Sequence, residues 1–417
     1  MTFSLKNQLC IGLSLNHRQK KQAAMDQAVS AQIGQAQRAE QAKLDFVFKP
    51  DSLYAHPARL SSQAGLDPTL VLTLIAEQTD NIGLVTTISA SFQPPYILAR
   101  QLQTLHWISN GRAGWNIVTS LDGGENFGET SKLSSECRYE KARECTEVVQ
   151  KLWRSFPAEA LTARNPQDLV KPITHQGNYF QVKGPLSIAM HASGEPVLFQ
   201  AGASEAGRQF AASVASAIFA ATPDKETAKE LRQDLRNCAK ANQRSPSDIR
   251  VLPGLYFFLG DSYEEAQQMH REAHQHLTLE HRYASIETTI GLDVRELPLD
   301  TQVTEVMLPS EKQPVRNRTH ANLLRRFISD NQPTVKRLLD RPEVIDSAHW
   351  VEVGTPQQVL GRIIEWYNDG AMDGFIAIPG GTEKSLNLFF DQLVPLLTEA
   401  GVFRREYTSK TLRDHLK

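Results

Sequence analysis

The sequence predicts an α/β fold made of repeated strand–helix units, in the number that closes a (β/α)8 barrel. Short apolar runs rich in Val, Ile and Phe alternate with longer stretches of helical periodicity, as in a parallel sheet buried on both faces. Four such units are complete by Ser120, a spacing that suits a barrel or a doubly wound sheet. Further alternations bring the strands to eight within a chain of 417 residues, which a single barrel with insertions accommodates.

The elements follow in order. QLCIGLSL is the first strand, and Asp26 to Lys43 is a helix with small apolar residues on one face. LDFVFKP, from Leu44, is the second strand, closed by Pro50. Asp67 then caps a helix with Pro68 at its first position, continuing through LVLTLIAEQTDN. IGLVTTIS is the third strand; Pro94 and Pro95 open the helix through ILARQLQTLHWIS; RAGWNIVTS, from Arg112, is the fourth strand. After a helix from Tyr139 to Trp153 the rhythm breaks, and about 156–193 reads as an insertion with a β-hairpin around Asn178 to Ile188. EPVLFQAG, AIFAA and VLPGLYFFLG restore the strands, each followed by a helix, the last from Ser262 to His276. Residues 277–347 are polar and broken, a second insertion that reads as a lid or an added helical layer. TPQQVLGRIIEWYNDG is a helix and DGFIAIPG the eighth strand, so residues 1–417 form one domain.

Composition narrows the function. With 45 Lys and Arg against 47 Asp and Glu, no surface for nucleic acid or an acidic membrane is expected, and a small-molecule substrate is the default. Cys10, Cys137, Cys145 and Cys238 form no CxxC pair and sit near no His cluster at metal-ligand spacing, so they read as reduced thiols and no metal is expected. No apolar run approaches the roughly 18 residues of a membrane span, and no cleavage site follows the N-terminal apolar stretch, so a cytoplasmic protein is expected. GxSxG, GxxxxGK[ST], HExxH and GxGxxG are all missing.

What remains is a set of polar residues at the carboxyl ends of strands, where barrels of this kind place their active sites. Asp51 follows the second strand, Thr87 and Ser89 end the third, Asn116 and Thr119 end the fourth, and Ser204 follows the fifth. Asp51 equally suits a turn cap, and Ser204 a helix N-cap. In VLFQAGASEAGR, Gly202 permits close approach while Ala203, Ser204 and Glu205 present amides at a helix start, which is either a phosphate site or a plain tight turn. Trp115 either packs in the core or faces a planar ring, and Tyr139 either donates to a phosphate or covers a helix surface.

The strings PYILAR, SNGRAGWNIVTS, ENFGE, RYEKARE, GNYFQVKGPL, QAGASEAGR, VGTPQQV and FFDQLVPLLTEAGVFRREY together resemble the bacterial-luciferase-like flavin monooxygenase superfamily, in the branch of nitrilotriacetate monooxygenase component A and dibenzothiophene-sulfone monooxygenase. The resemblance runs from about Leu44 to His415. It implies a TIM (β/α)8 barrel with insertions, reduced FMN (FMNH2) and O2 as cosubstrates, and a separate NAD(P)H-dependent flavin reductase. It also implies insertion of one oxygen atom into a small organic substrate through a flavin hydroperoxide, and a homodimer or homotetramer. Two other readings accompany it, a deazaflavin-dependent oxidoreductase of the same superfamily and a non-catalytic flavin-binding protein; oxygen consumption with reduced FMN separates the first, and turnover the second.

Carried over by motif, Asp51 and Thr87 lie at the flavin ring or its ribityl chain, Tyr139, Ser204 and the Ala203 amide hold the phosphate, and Asn116 lines the pocket over the ring. The chain departs from the family at Ser135, where a histidine is usual four positions before the tyrosine of RY; a hydroxyl can still bond phosphate but cannot do imidazole acid–base work. Asn16 and His17 stand at the mouth of the first strand in place of the usual WR segment, and His17 is the candidate general acid or base.

Overall fold

The structure is a computed structural model that describes residues 8–15, 25–54, 65–120, 122–129, 133–202, 204–310, 318–345 and 348–417. In chain order the strands are β1 (Cys10–Ser14), β2 (Phe46–Lys49), β3 (Gly83–Ser89), β4 (Ala113–Val118), β5 (His175–Gln176), β6 (Gln181–Val182), β7 (Val197–Gln200), β8 (Ala217–Ala220), β9 (Arg250–Leu259), β10 (Trp350–Gly354) and β11 (Gly374–Pro379). The helices are α1 (Met25–Gln41), α2 (Pro68–Ala76), α3 (Pro95–Ile108), α4 (Ser135–Arg154), α5 (Glu205–Val214), α6 (Lys225–Ala241), α7 (Tyr263–His274), α8 (Leu279–Ile290), α9 (Arg318–Asn331), α10 (Val335–Leu339), α11 (Pro342–Ile345), α12 (Pro356–Asn368), α13 (Glu383–Leu388), α14 (Val394–Glu399) and α15 (Leu412–His415).

Parallel pairing runs β1–β2–β3–β4–β7–β8–β9–β11, and β11 returns to β1 with Cys10 opposite Gly374. This is the closed eight-stranded TIM barrel expected from the alternation. Its interior is filled by inward-facing Phe46, Phe48, Val85, Phe199, Leu252 and Ile376. Leu412 of α15 plugs the amino-terminal end, and it fits because two strands carry no side chain there: a Cβ on Gly83 would stand 2.5 Å, and one on Gly114 2.9 Å, from its methyl groups. Burying each such Phe or Leu stabilises by about 1.5–3 kcal/mol. Outward residues such as Val47, Leu84, Trp115 and Leu198 pack under the helices.

Three features depart from the sequence reading. The first is β10, which the alternation did not reveal: β9 is long, leaves β8 after Pro253, and pairs Leu255–Leu259 with Trp350–Gly354 outside the barrel ring. Second, α4 starts at Ser135, a turn before Tyr139, because Ser134 Oγ accepts the Cys137 amide at 3.2 Å as its N-cap. Third, the hairpin sits at His175–Val182 rather than around Asn178 to Ile188; Glu144 of α4 holds its turn by accepting the amides of Asn178, Tyr179 and Phe180. The described part of 277–347 is the added helical layer that the sequence reading offered beside a lid, α8 to α11, with its own core of Ile286, Ile290, Leu324, Ile328, Leu338 and Val344.

Candidate active site

Alternation along a strand decides which polar residues reach the barrel mouth. Val85 points into the interior, so Thr87 and Ser89 share its face, and Asn116 lies opposite Thr87 in register. Both are buried, and Asn116 Nδ2 donates to Thr87 Oγ1 at 3.1 Å. The Asn116 Oδ1 atom has no partner among the described residues; nor does the hydroxyl of Ser91, just beyond β3, or of Thr222, just beyond β8. A buried polar atom left unpaired costs about 1–3 kcal/mol. All three lie at or just beyond the carboxyl ends of barrel strands, where a polar ligand could pair with them.

A second cluster forms where α4 meets the turn after β7. Ser204 is the N-cap of α5, its Oγ accepting the Gly207 amide at 3.2 Å, and Gln200 Oε1 accepts the Gly202 amide at 2.6 Å. The remaining first-turn amides and the positive end of the helix dipole face outward from this turn. Tyr139 is buried against Phe210, ring centroids 6.0 Å apart. A Cβ on Gly202 would strike the Tyr139 hydroxyl and lie 2.6 Å from Gln200 Nε2, and one on Gly207 would lie 2.7 Å from the same hydroxyl. The phenol therefore stands directly over the glycine turn, an arrangement suited to an anion. Ser135, half-buried, sits one helical turn before Tyr139 on the same face of α4.

Beyond β2, burial raises the Asp51 carboxyl above its ordinary range and lowers the neighbouring Lys49 ammonium, while the charge of each opposes the shift of the other. Phe48 from β2 meets Phe219 from β8 edge to face at 5.1 Å, and the His349 ring stacks on Phe219 at 4.9 Å. These rings form an apolar wall on the interior side of the mouth. The sequence reading missed His349, which precedes the unrecognised β10; the nearest signal was the alternating apolar and polar WVEVG that follows it.

Other assignments change or fall outside the described residues. Trp115 does not face a planar ring at the mouth: it is fully buried beneath α3 and α4 and donates to the Ile88 carbonyl at 3.0 Å. Arg112 is structural, donating to the carbonyls of Ala76, Thr79, Ile82 and Ser109. Asn16, His17 and Ala203 lie outside the described residues. No group of three or more potential metal-ligating side chains occurs among the described residues, and no described helix is long and apolar enough to cross a membrane.

Comparison with known proteins agrees with the barrel fold. The family model of luciferase-like monooxygenases matches residues 10–373. The chain is 33% identical over 394 residues to N-acetyl-S-(2-succino)cysteine monooxygenase of Bacillus subtilis (strain 168), covering 91% of this chain and 88% of that protein. It is 32% identical over 400 residues to nitrilotriacetate monooxygenase component A of Aminobacter aminovorans, covering 91% and 87%. Among solved structures, riboflavin lyase with modified FMN and substrate riboflavin superimposes with a TM-score of 0.82 at 27% identity, covering 98% of this chain and 95% of that one. The chain belongs to the luciferase-like monooxygenase family and is a flavin-dependent monooxygenase.

Proposed function

We propose that this chain is the oxygenase component of a two-component system, receiving reduced FMN from a separate NAD(P)H-dependent flavin reductase and placing one atom of O2 in a small organic substrate. The observation that carries the reading is the Tyr139 hydroxyl against Gly202 and Gly207 at the start of α5, a donor beside the positive end of a helix as phosphate binding requires, at the same end of the barrel as the unpaired Asn116 and Thr222 atoms. The likeness to a structure holding modified FMN and to a protein named as a component A supports the flavin and the partner reductase respectively.

In this reading Tyr139, Ser204, Ser135 and the first amides of α5 hold the phosphate, and Ala203, which lies outside the described residues, is assigned to it by motif. Thr87 and Asn116 bind the ring or ribityl edge, where the free Asn116 Oδ1 accepts an N–H or O–H donor; Asp51 lies beside them. Reduced FMN, when bound, supplies the electrons that activate dioxygen. The rings of Phe48, Phe219 and His349 exclude water from that face, which favours product over wasteful peroxide. His17 is retained as the candidate acid or base. Two of the similar enzymes are named for carboxylate-bearing substrates, a succinylated thioether and a tricarboxylate amine, so small carboxylated amines and thioethers are the first substrates to try. Leu70, Leu74 and Ile97, 70%, 51% and 41% exposed on α2 and α3, are apolar side chains that a homodimer or homotetramer contact would cover.

The test is turnover with reductase-supplied reduced FMN across such a panel, scored for oxygenated product. Product from one member supports the reading; peroxide alone from every member, in a protein that binds reduced FMN, contradicts it.

A further inference from the structure

The amino-terminal end of the barrel, opposite the mouth, holds a cavity of about 900 Å3 between α6, the loop before β9, the end of α12 and the last residues of the chain. Six of its lining side chains are cationic, Arg232, Arg236, Arg244, Arg250, Arg413 and Lys417, against two carboxylates, Asp248 and Asp373. Lys417 is paired with Asp414 at 2.7 Å, and the arginines are only partly neutralised. Asp373 serves two guanidinium groups with one oxygen, Oδ1 accepting from Arg232 Nη2 at 2.7 Å and Arg236 Nη2 at 3.1 Å, while Oδ2 is taken by the Val251 amide at 2.9 Å. Arg236 Nε is buried and without a partner among the described residues.

The other three arginines are held by main-chain oxygens, one of them, for Arg250, the carboxylate oxygen of the last residue, Lys417. Arg244 donates to Ala212 and Ala215 at 3.0 and 2.8 Å and to Asp248 O at 3.3 Å, Arg250 to Leu416 and Lys417 at 3.1 and 2.7 Å, and Arg413 to Glu195 at 2.8 Å. Carbonyls fix the orientation of a guanidinium and leave its full charge in place. Among the described residues neither Arg244 nor Arg413 has a carboxylate in ion-pair contact with its side chain. Burial also makes the charged forms of Arg236 and Arg244 less favourable than in water, which an incoming anion would reverse. Fixed guanidinium forks around a polar cavity are the recognition chemistry of phosphate.

We propose that this cavity binds a small phosphate-bearing anion, at a site separate from the phosphate cradle at the barrel mouth. The shared chemistry is the phosphate group, whether inorganic or on an ester, and the cavity is large enough for either.

The experiment is calorimetric titration of the full-length protein with inorganic pyrophosphate and, in a second arm, ribose 5-phosphate, in chloride buffer. Because the mouth also offers a phosphate cradle, three proteins are compared: wild type, Tyr139→Phe/Ser204→Ala, and Arg236→Gln/Arg413→Gln. The account expects binding that survives the mouth substitutions and weakens at least about tenfold in the arginine variant, the effect of losing a charge-assisted hydrogen bond. If the double arginine variant does not fold, Arg413→Gln alone, whose lost contact is one backbone carbonyl, is read by the same titration. Affinity unchanged by the arginine substitutions, binding abolished by the mouth substitutions, or no binding of either probe to wild type would overturn the proposal. Binding abolished by the mouth substitutions would place the anion in the mouth cradle instead, and the oxygenase reading is scored by oxygenated product, so the two fail separately.

Discussion

Replacing Tyr139 by Phe removes one hydroxyl and leaves a ring buried against Phe210. Stability should change by less than about 0.5 kcal/mol, since the packing is kept and no hydrogen bond from the phenol to a described residue is lost. Flavin binding should change far more. A hydrogen bond to a charged phosphate contributes about 1.5–3 kcal/mol, so the Kd for reduced FMN should rise about 10- to 160-fold. Anaerobic titration followed by flavin absorbance measures this directly, and riboflavin, which has no phosphate, is the control whose affinity should hold. An unchanged Kd for reduced FMN, or an equal loss for riboflavin, would refute the placement of phosphate beneath Tyr139.

Three more predictions test other links. Gly202→Ala should weaken reduced FMN at least as much as Tyr139→Phe, because the new methyl occupies the space of the Tyr139 hydroxyl and the Gln200 amide; the same titration reads it, and wild-type affinity would show the turn is not a close approach. His106 is buried and its imidazole is pushed down to about 3 by burial, so between about pH 6.5 and 3 the unfolded chain takes a proton that the folded chain refuses. Stability is therefore full above pH 6.5 and falls with acid by up to about 1.4 kcal/mol per pH unit; urea unfolding of His106→Gln should show a shallower acid limb than wild type, and parallel limbs would contradict the assignment. Arg404 pairs with the fully buried Asp45, whose other oxygen accepts the Ile11 amide at 2.7 Å. Arg404→Ala should cost about 3–5 kcal/mol by stranding that carboxylate, a loss seen in the urea midpoint, whereas a change below about 1 kcal/mol would mean the pair carries little of the stability.

Much of the barrel is legible in the chain because its strands are short apolar runs bounded by turn residues, and both faces of each are buried. Trp350–Gly354 escaped because its WVEVG alternates like a half-exposed strand after a polar stretch, and its pairing depends on the extra length of β9. The layer from α8 to α11 is legible only as a helical layer or a lid, because its short helices bury their apolar residues against one another, a partnership no single helix announces. At the site, Thr87 and Asn116 could be read from strand ends, and the register confirms them as neighbours. The closeness of Tyr139 to Gly202 could not be read from spacing, since α4 and the turn before α5 are joined only through the barrel and the hairpin insertion. The arginine cavity likewise gathers residues from α6, β9 and the chain's last turn, spread too far apart to form a charge run.

The oxygenase reading is tested most directly by turnover under 18O2 with reductase-supplied reduced FMN and the carboxylated amine and thioether panel, followed by mass spectrometry of the products. The account predicts one 18O atom in the product of at least one substrate, lost when oxygen is withheld and reduced in Tyr139→Phe at limiting flavin. Product whose oxygen comes only from water, or substrate oxidised equally well without oxygen, would contradict it.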